Sequence, residues 1–301
     1  MDTATSRLKS SEYILLCGSF EQWLEVLGYA AGTREVLPGH VREFLNYQEQ
    51  TGKARLEQIT ATDAAEFIKH LKERTGIRTG RPYSPAHINK YIQALKLFSR
   101  YVRETGRSDI GFAIERMGQS RPKPVWLSKA EVQRLYEASD DSVLGMRDRA
   151  MLAVFYGCGL RLNEGASLEI KDIITDRKLL HVRKGKQYKE RLVPVAEKNY
   201  REIKFYIDYG RPQLMQEVKT GALFLDANKG QPMQKQSLYI RIKRLVKIAK
   251  VKKKVGAHTL RHSIATHLLQ SGMKLEGIRD FLGHADLDST QIYTHLKNEP
   301  A

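Results

Sequence analysis

The chain has little of several features that define large protein classes. It has only two cysteines in 301 residues, Cys17 and Cys158, too few for a disulfide framework or a four-ligand zinc site. Its apolar runs are much shorter than the ~20 residues that a membrane-spanning helix needs. No export signal is visible at the N-terminus. These features predict a protein of the reducing cytoplasm without a membrane span.

Acidic residues are also in deficit, because 34 Asp and Glu stand against 51 Lys and Arg, and the formal net charge is +17. Such an excess predicts a polyanionic partner, with solubility as the alternative explanation of the charge. The 41% of hydrophobic residues and the nine prolines exclude a disordered chain. A chain of this length is expected to form about two domains.

Helical periodicity dominates residues 20–106. Apolar residues recur at spacings of three and four, as Val41, Phe44 and Leu45 do, and turn residues separate the helices. Ser84 is expected to begin a helix over residues 85–104. Residues 116–126 contain two prolines and a glycine, so we expect a linker there. We therefore predict an all-helical domain in residues 1–115 and a second domain in residues 127–301.

The second domain is predicted to combine helices with a small hairpin. Ser128 and Glu131 form a capping-box pattern at the start of a helix, and another helix is expected over residues 145–156. Two β-like runs, residues 179–183 and 191–195, flank a polar, basic turn, which indicates a β-hairpin. The predicted fold class is mainly α with a small β hairpin or sheet.

Several familiar sites are excluded by the sequence. Gly157 and Gly159 lack the third glycine of a dinucleotide-binding fingerprint, and no P-loop is present. His258 and His262 have the spacing of half a zinc site, but Arg261 places a cation beside any metal. We therefore expect neither a metal nor an organic cofactor.

The remaining candidates are cations and one phenol. Metal-free phosphodiester cleavage needs fixed positive groups around the phosphate, and Arg161 and Arg261 are candidates because guanidinium groups stay charged. Tyr293 is the candidate nucleophile. Lys186 is the candidate proton donor, with the other lysines of the predicted turn as competitors. Each assignment has an alternative. The two arginines could be surface charges, Tyr293 could be a packing residue, and the lysines of the turn could only contact phosphates.

Several basic or polar residues are candidate DNA contacts. The segment 234–250 has one apolar helical face, and its other side could enter a major groove; a solvated face is the alternative. The candidates are Lys90, Lys189, Arg191, Lys235, Gln236, Tyr239 and Lys243.

Four ordered motifs occur in the second half of the chain: GLRLNE (residues 159–164), GKQYKERLVP (185–194), HTLRH (258–262) and LGHADLDSTQIYTH (282–295). This series resembles the tyrosine recombinase, or phage integrase, family, most closely its Xer-like members. The resemblance covers nearly the whole chain, because the helical region before the linker resembles the family's core-binding domain. The hairpin motif departs from the Xer-like pattern in lacking a second glycine after Lys186.

The resemblance implies a helical core-binding domain and a mixed α/β catalytic domain that form a C-shaped clamp on DNA. It implies that Tyr293 attacks the scissile phosphate to form a 3′-phosphotyrosine. Arg161 and Arg261 would hold the phosphate, and Lys186 would act as the general acid. The other implied catalytic residues are His258, which would assist proton transfer or orient the phosphate, and His284, which would hydrogen-bond it. Glu164 would support the site.

The implied activity is site-specific recombination of double-stranded DNA through a Holliday junction, without metal or ATP. The implied assembly is a homotetramer on two DNA sites, with a related recombinase or an accessory factor as an open addition. The implied setting is a prokaryotic or phage-like cytoplasm, near the nucleoid. The alternatives are a type IB topoisomerase-like nicking-closing enzyme and a non-catalytic basic DNA-binding protein.

Overall fold

A computed structural model of the chain describes residues 8–76, 80–118, 124–183, 190–216 and 219–283. These residues are mainly helical, with one small antiparallel sheet, so the predicted fold class is confirmed. The chain divides into two compact units, Met1–Pro122 and Lys123–Ala301, and the division falls within the predicted linker. Along the described residues, no helix has both the length and the apolarity to cross a membrane.

The first unit is built from helices. They are α1 (Ser11–Val26), α2 (Ala31–Gln50), α3 (Ala61–Glu73) and α4 (Pro85–Glu104), with a short 3₁₀ turn at Leu56–Gln58. Helix α4 begins where the sequence predicts, because Oγ of Ser84 accepts a hydrogen bond from the backbone N–H of His87 and Pro85 stands at the first helical position. In the core, the rings of Phe20 and Phe98 pack edge to face with 5.6 Å between centroids.

The second unit combines helices with the sheet. Its helices are α5 (Lys129–Glu137), α6 (Val143–Leu152), α7 (Leu162–Ala166), α8 (Glu197–Phe205), α9 (Arg211–Leu214), α10 (Lys235–Ile248), α11 (Ala257–Gln270) and α12 (Leu275–Leu282). Ser128 and Glu131 form the predicted capping box of α5. Helix α6 begins earlier than predicted because Oγ of Ser142 accepts a hydrogen bond from the N–H of Gly145, and it continues as a π-helical segment, Ala153–Gly157.

The sheet has three antiparallel strands in the order β1 (Ile173–Ile174), β2 (Leu179–Val182) and β3 (Arg191–Pro194). Leu180 pairs with Val193 and both are buried, whereas Leu192 on the opposite face is 46% exposed. Strands β2 and β3 are the predicted hairpin, and its turn at residues 184–189 lies outside the described residues. Strand β1 is too short to be predicted from alternation.

Helix α11 is anchored in the core of the second unit. Leu260 and Ala265 are fully buried. The backbone N–H of Leu127 donates a 2.8 Å hydrogen bond to Oγ of Ser263. These contacts fix the orientation of the helix and therefore of the polar side chains in its first turns.

The turn before α7 depends on Gly159. Its φ is +63°, and a Cβ at this position would lie 2.8 Å from Cδ2 of Leu282. Gly272, after α11, also has a positive φ of +90°, but no atom lies within 4 Å of the position of its Cβ.

We expect Gly159→Ala to destabilise the second unit more than Gly272→Ala does. Both alanines carry the strain of the left-handed backbone, about 1–2 kcal/mol, and Gly159→Ala adds a steric clash with Leu282. Urea unfolding of the two variants and the unmodified chain measures the difference. Equal losses would contradict the importance of the close approach at Gly159.

Candidate active site

Glu164 lies at the centre of a cluster of three arginines. Its side chain is only 7% exposed, and Arg161, Arg191 and Arg261 approach it from separate elements. Arg161 is the N-cap residue of α7, Arg191 is the first residue of β3, and Arg261 lies in α11. Residues from three sequence motifs therefore meet around one carboxylate.

Arg191 makes a forked contact with this carboxylate. Its Nη1 lies 3.2 Å from Oε1 of Glu164, and its Nη2 lies 3.0 Å from Oε2. Its Nε donates a 3.2 Å hydrogen bond to the carbonyl oxygen of Phe281. The Arg191 side chain is only 8% exposed, so this ion pair is largely shielded from solvent.

Arg161 contacts Glu164 through its backbone and its side chain. The backbone N–H donates to Oε2 at 2.8 Å, and Nη1 donates to Oε1 at 2.9 Å. Its Nη2 also lies 3.4 Å from the carbonyl oxygen of Gly283. The side chain keeps 22% of its surface exposed, so a ligand can approach this guanidinium from solvent.

Arg261 is more deeply buried and is held by backbone carbonyls. Its Nη1 donates to the carbonyl oxygen of Gly159 at 2.6 Å, and its Nη2 donates to that of Leu282 at 2.8 Å. Oε2 of Glu164 lies 3.9 Å from Nη1. The residue is 2% exposed, so its orientation is fixed before any ligand binds.

The charges of the cluster perturb its own titrating groups. Burial alone would raise the pKa of the Glu164 carboxyl, but hydrogen bonds from Arg191 and Arg161 outweigh it and lower the pKa to about 2. Partial desolvation and the charges of Arg261 and Arg161 lower the pKa of His258, in the first turn of α11. At pH 7, Glu164 is ionised and His258 is neutral. Three arginines and one glutamate leave a net charge of +2.

Two more histidines lie on α11. Burial and the neighbouring His258 lower the pKa of His262 to about 4. Nδ1 of His267 lies 2.9 Å from Oη of Tyr156. Across the described ranges, no group of three or more histidine, cysteine, aspartate or glutamate side chains is arranged to hold a metal ion. A metal-free site stays a prediction.

The structure brings together four of the residues predicted for catalysis or its support, which are Arg161, Glu164, His258 and Arg261. Outside the described residues lie the other catalytic candidates, Lys186, His284 and Tyr293, and one candidate DNA contact, Lys189. The roles of all of them stay predictions.

The candidate DNA contacts lie in both units. Lys90 is exposed on α4, and Lys235, Gln236 and Tyr239 are exposed on α10. Nζ of the half-buried Lys243 lies 5.5 Å from the centroid of the Tyr239 ring. Arg191 differs from this group because its guanidinium is buried against a carboxylate. Its pairing with Glu164 was not anticipated, since the two residues stand in different motifs and their local spacing gives no signal.

The sequence matches a family of known proteins. The model described as "Phage integrase family" matches residues 125–299. The chain belongs to the phage integrase family. It is 34% identical to tyrosine recombinase XerD of Pseudomonas aeruginosa over 91% of this chain and 89% of that protein. It is 38% identical to XerD of Proteus mirabilis over 83% of this chain and 78% of that protein.

A solved structure shares the fold of this recombinase. The XerH site-specific recombinase bound to palindromic difH substrate, in a post-cleavage complex, has a TM-score of 0.72 and 21% identity. The match covers 97% of this chain and 94% of that chain. The family match and the XerD relatives confirm the predicted resemblance to Xer-like tyrosine recombinases, and the enzyme class follows from them.

The ionised state of Glu164 should make the stability of the second unit depend on pH. Because the folded pKa of about 2 is below the ordinary value of 4.5, its contribution is complete above about pH 5. That contribution, about 3 kcal/mol, is lost as the pH falls toward 2.

We expect Glu164→Gln to remove this part of the acid dependence, measured as the free energy of urea unfolding between pH 3 and pH 7. Glu197→Gln is the control, because Glu197 makes an exposed ion pair with Lys178 at 2.6 Å and screening by water keeps its effect small. An unchanged acid dependence in Glu164→Gln would contradict the proposed ion-pair network.

Proposed function

We propose that this recombinase cleaves and rejoins double-stranded DNA at specific sites through a 3′-phosphotyrosine formed by Tyr293. The observation that carries the proposal is the cluster of Arg161, Arg261 and His258 around Glu164, with Arg191 as a further cation. Its excess of positive charge suits a phosphodiester, whose negative charge increases as the phosphorus is attacked.

The two proposed phosphate ligands have complementary properties. Arg261 is held by two carbonyl oxygens and needs little reorganisation when the phosphate arrives. Arg161 is partly exposed and is oriented by Glu164. A guanidinium group acts as a fixed cation, so the two arginines stabilise the transition state without a proton transfer.

The proposed cleavage step includes two proton transfers, one from the attacking phenol and one to the leaving 5′ oxygen. The Tyr293 phenol, with an ordinary pKa of about 10, loses its proton as its oxygen bonds to phosphorus. The neutral His258 is the proposed acceptor, and His284 hydrogen-bonds the phosphate. The bond to the 5′ oxygen breaks, and Lys186 protonates that leaving group. The products are the 3′-phosphotyrosine and a free 5′-hydroxyl.

Strand exchange follows from the reversibility of this step. The phosphotyrosine conserves the energy of the cleaved bond, so a 5′-hydroxyl of a second duplex can attack it without ATP. Two rounds of exchange connect through a Holliday junction, with four protomers on two DNA sites. The XerD relatives favour this activity over simple nicking and closing by a topoisomerase.

The proposed DNA interface includes residues of both units. On α10, Lys235, Gln236 and Tyr239 reach base edges, while Lys243 and Lys90 contact phosphates. Lys189 contributes a further cation from the hairpin turn. This division of contacts fits a basic chain with a net charge of +17.

We expect covalent protein–DNA adducts to form in EDTA and to depend on Tyr293. Nicked duplexes with a randomised core trap the adduct, because the short released strand diffuses away, and sequencing of the adducts gives the target site. On that site, Tyr293→Phe should form no adduct while still binding DNA. Arg161→Ala and Arg261→Ala should each slow adduct formation by about 100-fold or more.

Denaturing gels read out these reactions. Adducts that vanish on chelation would contradict a metal-free mechanism. Adducts that persist in Tyr293→Phe would assign the nucleophile to another residue. Binding without any adduct would favour the non-catalytic DNA-binding alternative.

DNA affinity should depend steeply on salt. If the protein neutralises six or more phosphates, the dissociation constant should rise by about a thousandfold between ~50 and ~200 mM salt. Fluorescence anisotropy with Tyr293→Phe measures this without cleavage. Lys243→Ala should weaken binding to all sequences alike and reduce the logarithmic salt slope by about 1. A flat response would contradict binding through phosphate contacts.

A further inference from the structure

Arg191 connects segments of the chain that carry different proposed catalytic residues. It is the first residue of β3 and follows closely on the turn that contains Lys186. Its two terminal nitrogens contact Glu164 in α7, at 3.2 and 3.0 Å. Through Glu164, it is linked to Arg161, whose Nη1 donates to the same carboxylate.

The third contact of Arg191 is with the end of α12. Its Nε donates to the carbonyl oxygen of Phe281, in the last turn of that helix. The helix ends at Gly283, with φ at +66°, and a Cβ there would lie 2.8 Å from Cδ of Arg191. The end of α12 therefore packs directly against the arginine side chain. From Gly283 the chain continues to His284 and Tyr293.

The same helix end is held by the two proposed phosphate ligands. The carbonyl oxygen of Leu282 accepts a hydrogen bond from Arg261, and that of Gly283 accepts one from Arg161. Consecutive carbonyls at residues 281–283 thus bind three different arginines. A displacement of Arg191 would shift the end of α12 relative to both phosphate ligands.

We infer that Arg191 is a positioning residue for DNA cleavage and not a DNA contact: it orients Glu164 toward Arg161 and fixes the end of α12 that leads to the nucleophile. This inference rests on the proposed function. It also accounts for the contacts of the guanidinium, in which each of the three nitrogens donates to Glu164 or to the carbonyl oxygen of Phe281.

The inference requires the geometry of arginine and not its charge alone. The fork supplies parallel N–H groups to Glu164 and a third N–H to α12, whereas a lysine ammonium is a point charge that cannot reproduce this arrangement. Glu164 faces Arg161 from α7, Arg191 from β3 and Arg261 from α11, with His258 near the last. Without Arg191, the carboxylate should protonate more easily and loosen Arg161.

Arg183 provides a matched control. It stands at the other end of the same hairpin turn, and its guanidinium is also ion-paired, with Glu169 and Asp172 at 2.9 Å each. Its side chain is 39% exposed, and it also donates to the carbonyl oxygen of Ser167 at the C-cap of α7, but it contacts neither Glu164 nor α12. Arg183→Met therefore removes a cation and its ion pairs from the hairpin without touching the cluster around Glu164.

The experiment compares Arg191→Met, Arg191→Lys and Arg183→Met on the nicked target site. At saturating DNA, we expect the rate constant of adduct formation to fall about a hundredfold in both Arg191 variants, because displaced reacting groups lose alignment. In a Tyr293→Phe background, the DNA dissociation constant of the same variants should change by less than about threefold. Arg183→Met should retain the rate of the unmodified chain.

A pH series separates positioning from a general loss of structure. The deficit of Arg191→Met should grow as the pH is lowered from about 7 toward about 4, because loss of Arg191 raises the pKa of Glu164 from about 2 toward its ordinary value of 4.5. In a Glu164→Gln background, the same substitution should add no pH-dependent deficit. A deficit that is equal at all pH values would overturn the proposed action through Glu164.

Other outcomes of these measurements also test the positioning role of Arg191. Weaker DNA binding with an unchanged rate constant would overturn the inference in favour of a DNA contact. A normal rate in Arg191→Lys would overturn the requirement for the fork, and this variant decides the question if Arg191→Met does not fold. If the unmodified chain forms no Tyr293-dependent adduct, the proposed function itself fails. Undiminished adducts in the Arg191 variants refute the inference alone.

Discussion

The active-site cluster depends on the ionised carboxylate of Glu164. Three guanidinium groups in one partly buried cluster repel one another, and a single anion among them offsets much of that repulsion. The arginines in turn keep the carboxyl ionised by lowering its pKa to about 2. The carboxylate and the guanidinium groups therefore stabilise one another, and the net positive charge of the cluster remains available to a phosphate.

Backbone carbonyl oxygens, like the Glu164 carboxylate, accept hydrogen bonds from the arginines of the cluster. The last carbonyls of a helix have no partner within the helix and carry partial negative charge. At the end of α12, arginines supply the missing donors, and the left-handed Gly283 ends the helix against Arg191. The site thus lies where the start of α7, the end of α12 and the start of β3 meet. The backbone, and not side-chain packing alone, therefore fixes the positions of its cations.

Local signals in the sequence predicted much of this fold, and motif order predicted part of the site. The caps at Ser84 and Ser128 and the alternation in the hairpin are short-range features, so they could be recognised without the structure. The pairing of Glu164 with Arg191 could not, because it depends on how β3 packs against α7. The helix-end carbonyls carry no sequence signature, since any residue has one.

The charge balance also explains how a histidine with a lowered pKa can serve as a proton acceptor. Burial and the charges of Arg261 and Arg161 make His258 a weak base in the free enzyme. A bound phosphate brings negative charge to the same arginines and offsets their effect on the imidazole. His258 would then be neutral before binding and more basic once the scissile phosphate is in place. The guanidinium groups proposed to hold the phosphate would thereby couple substrate binding to the basicity that the proposed attack requires.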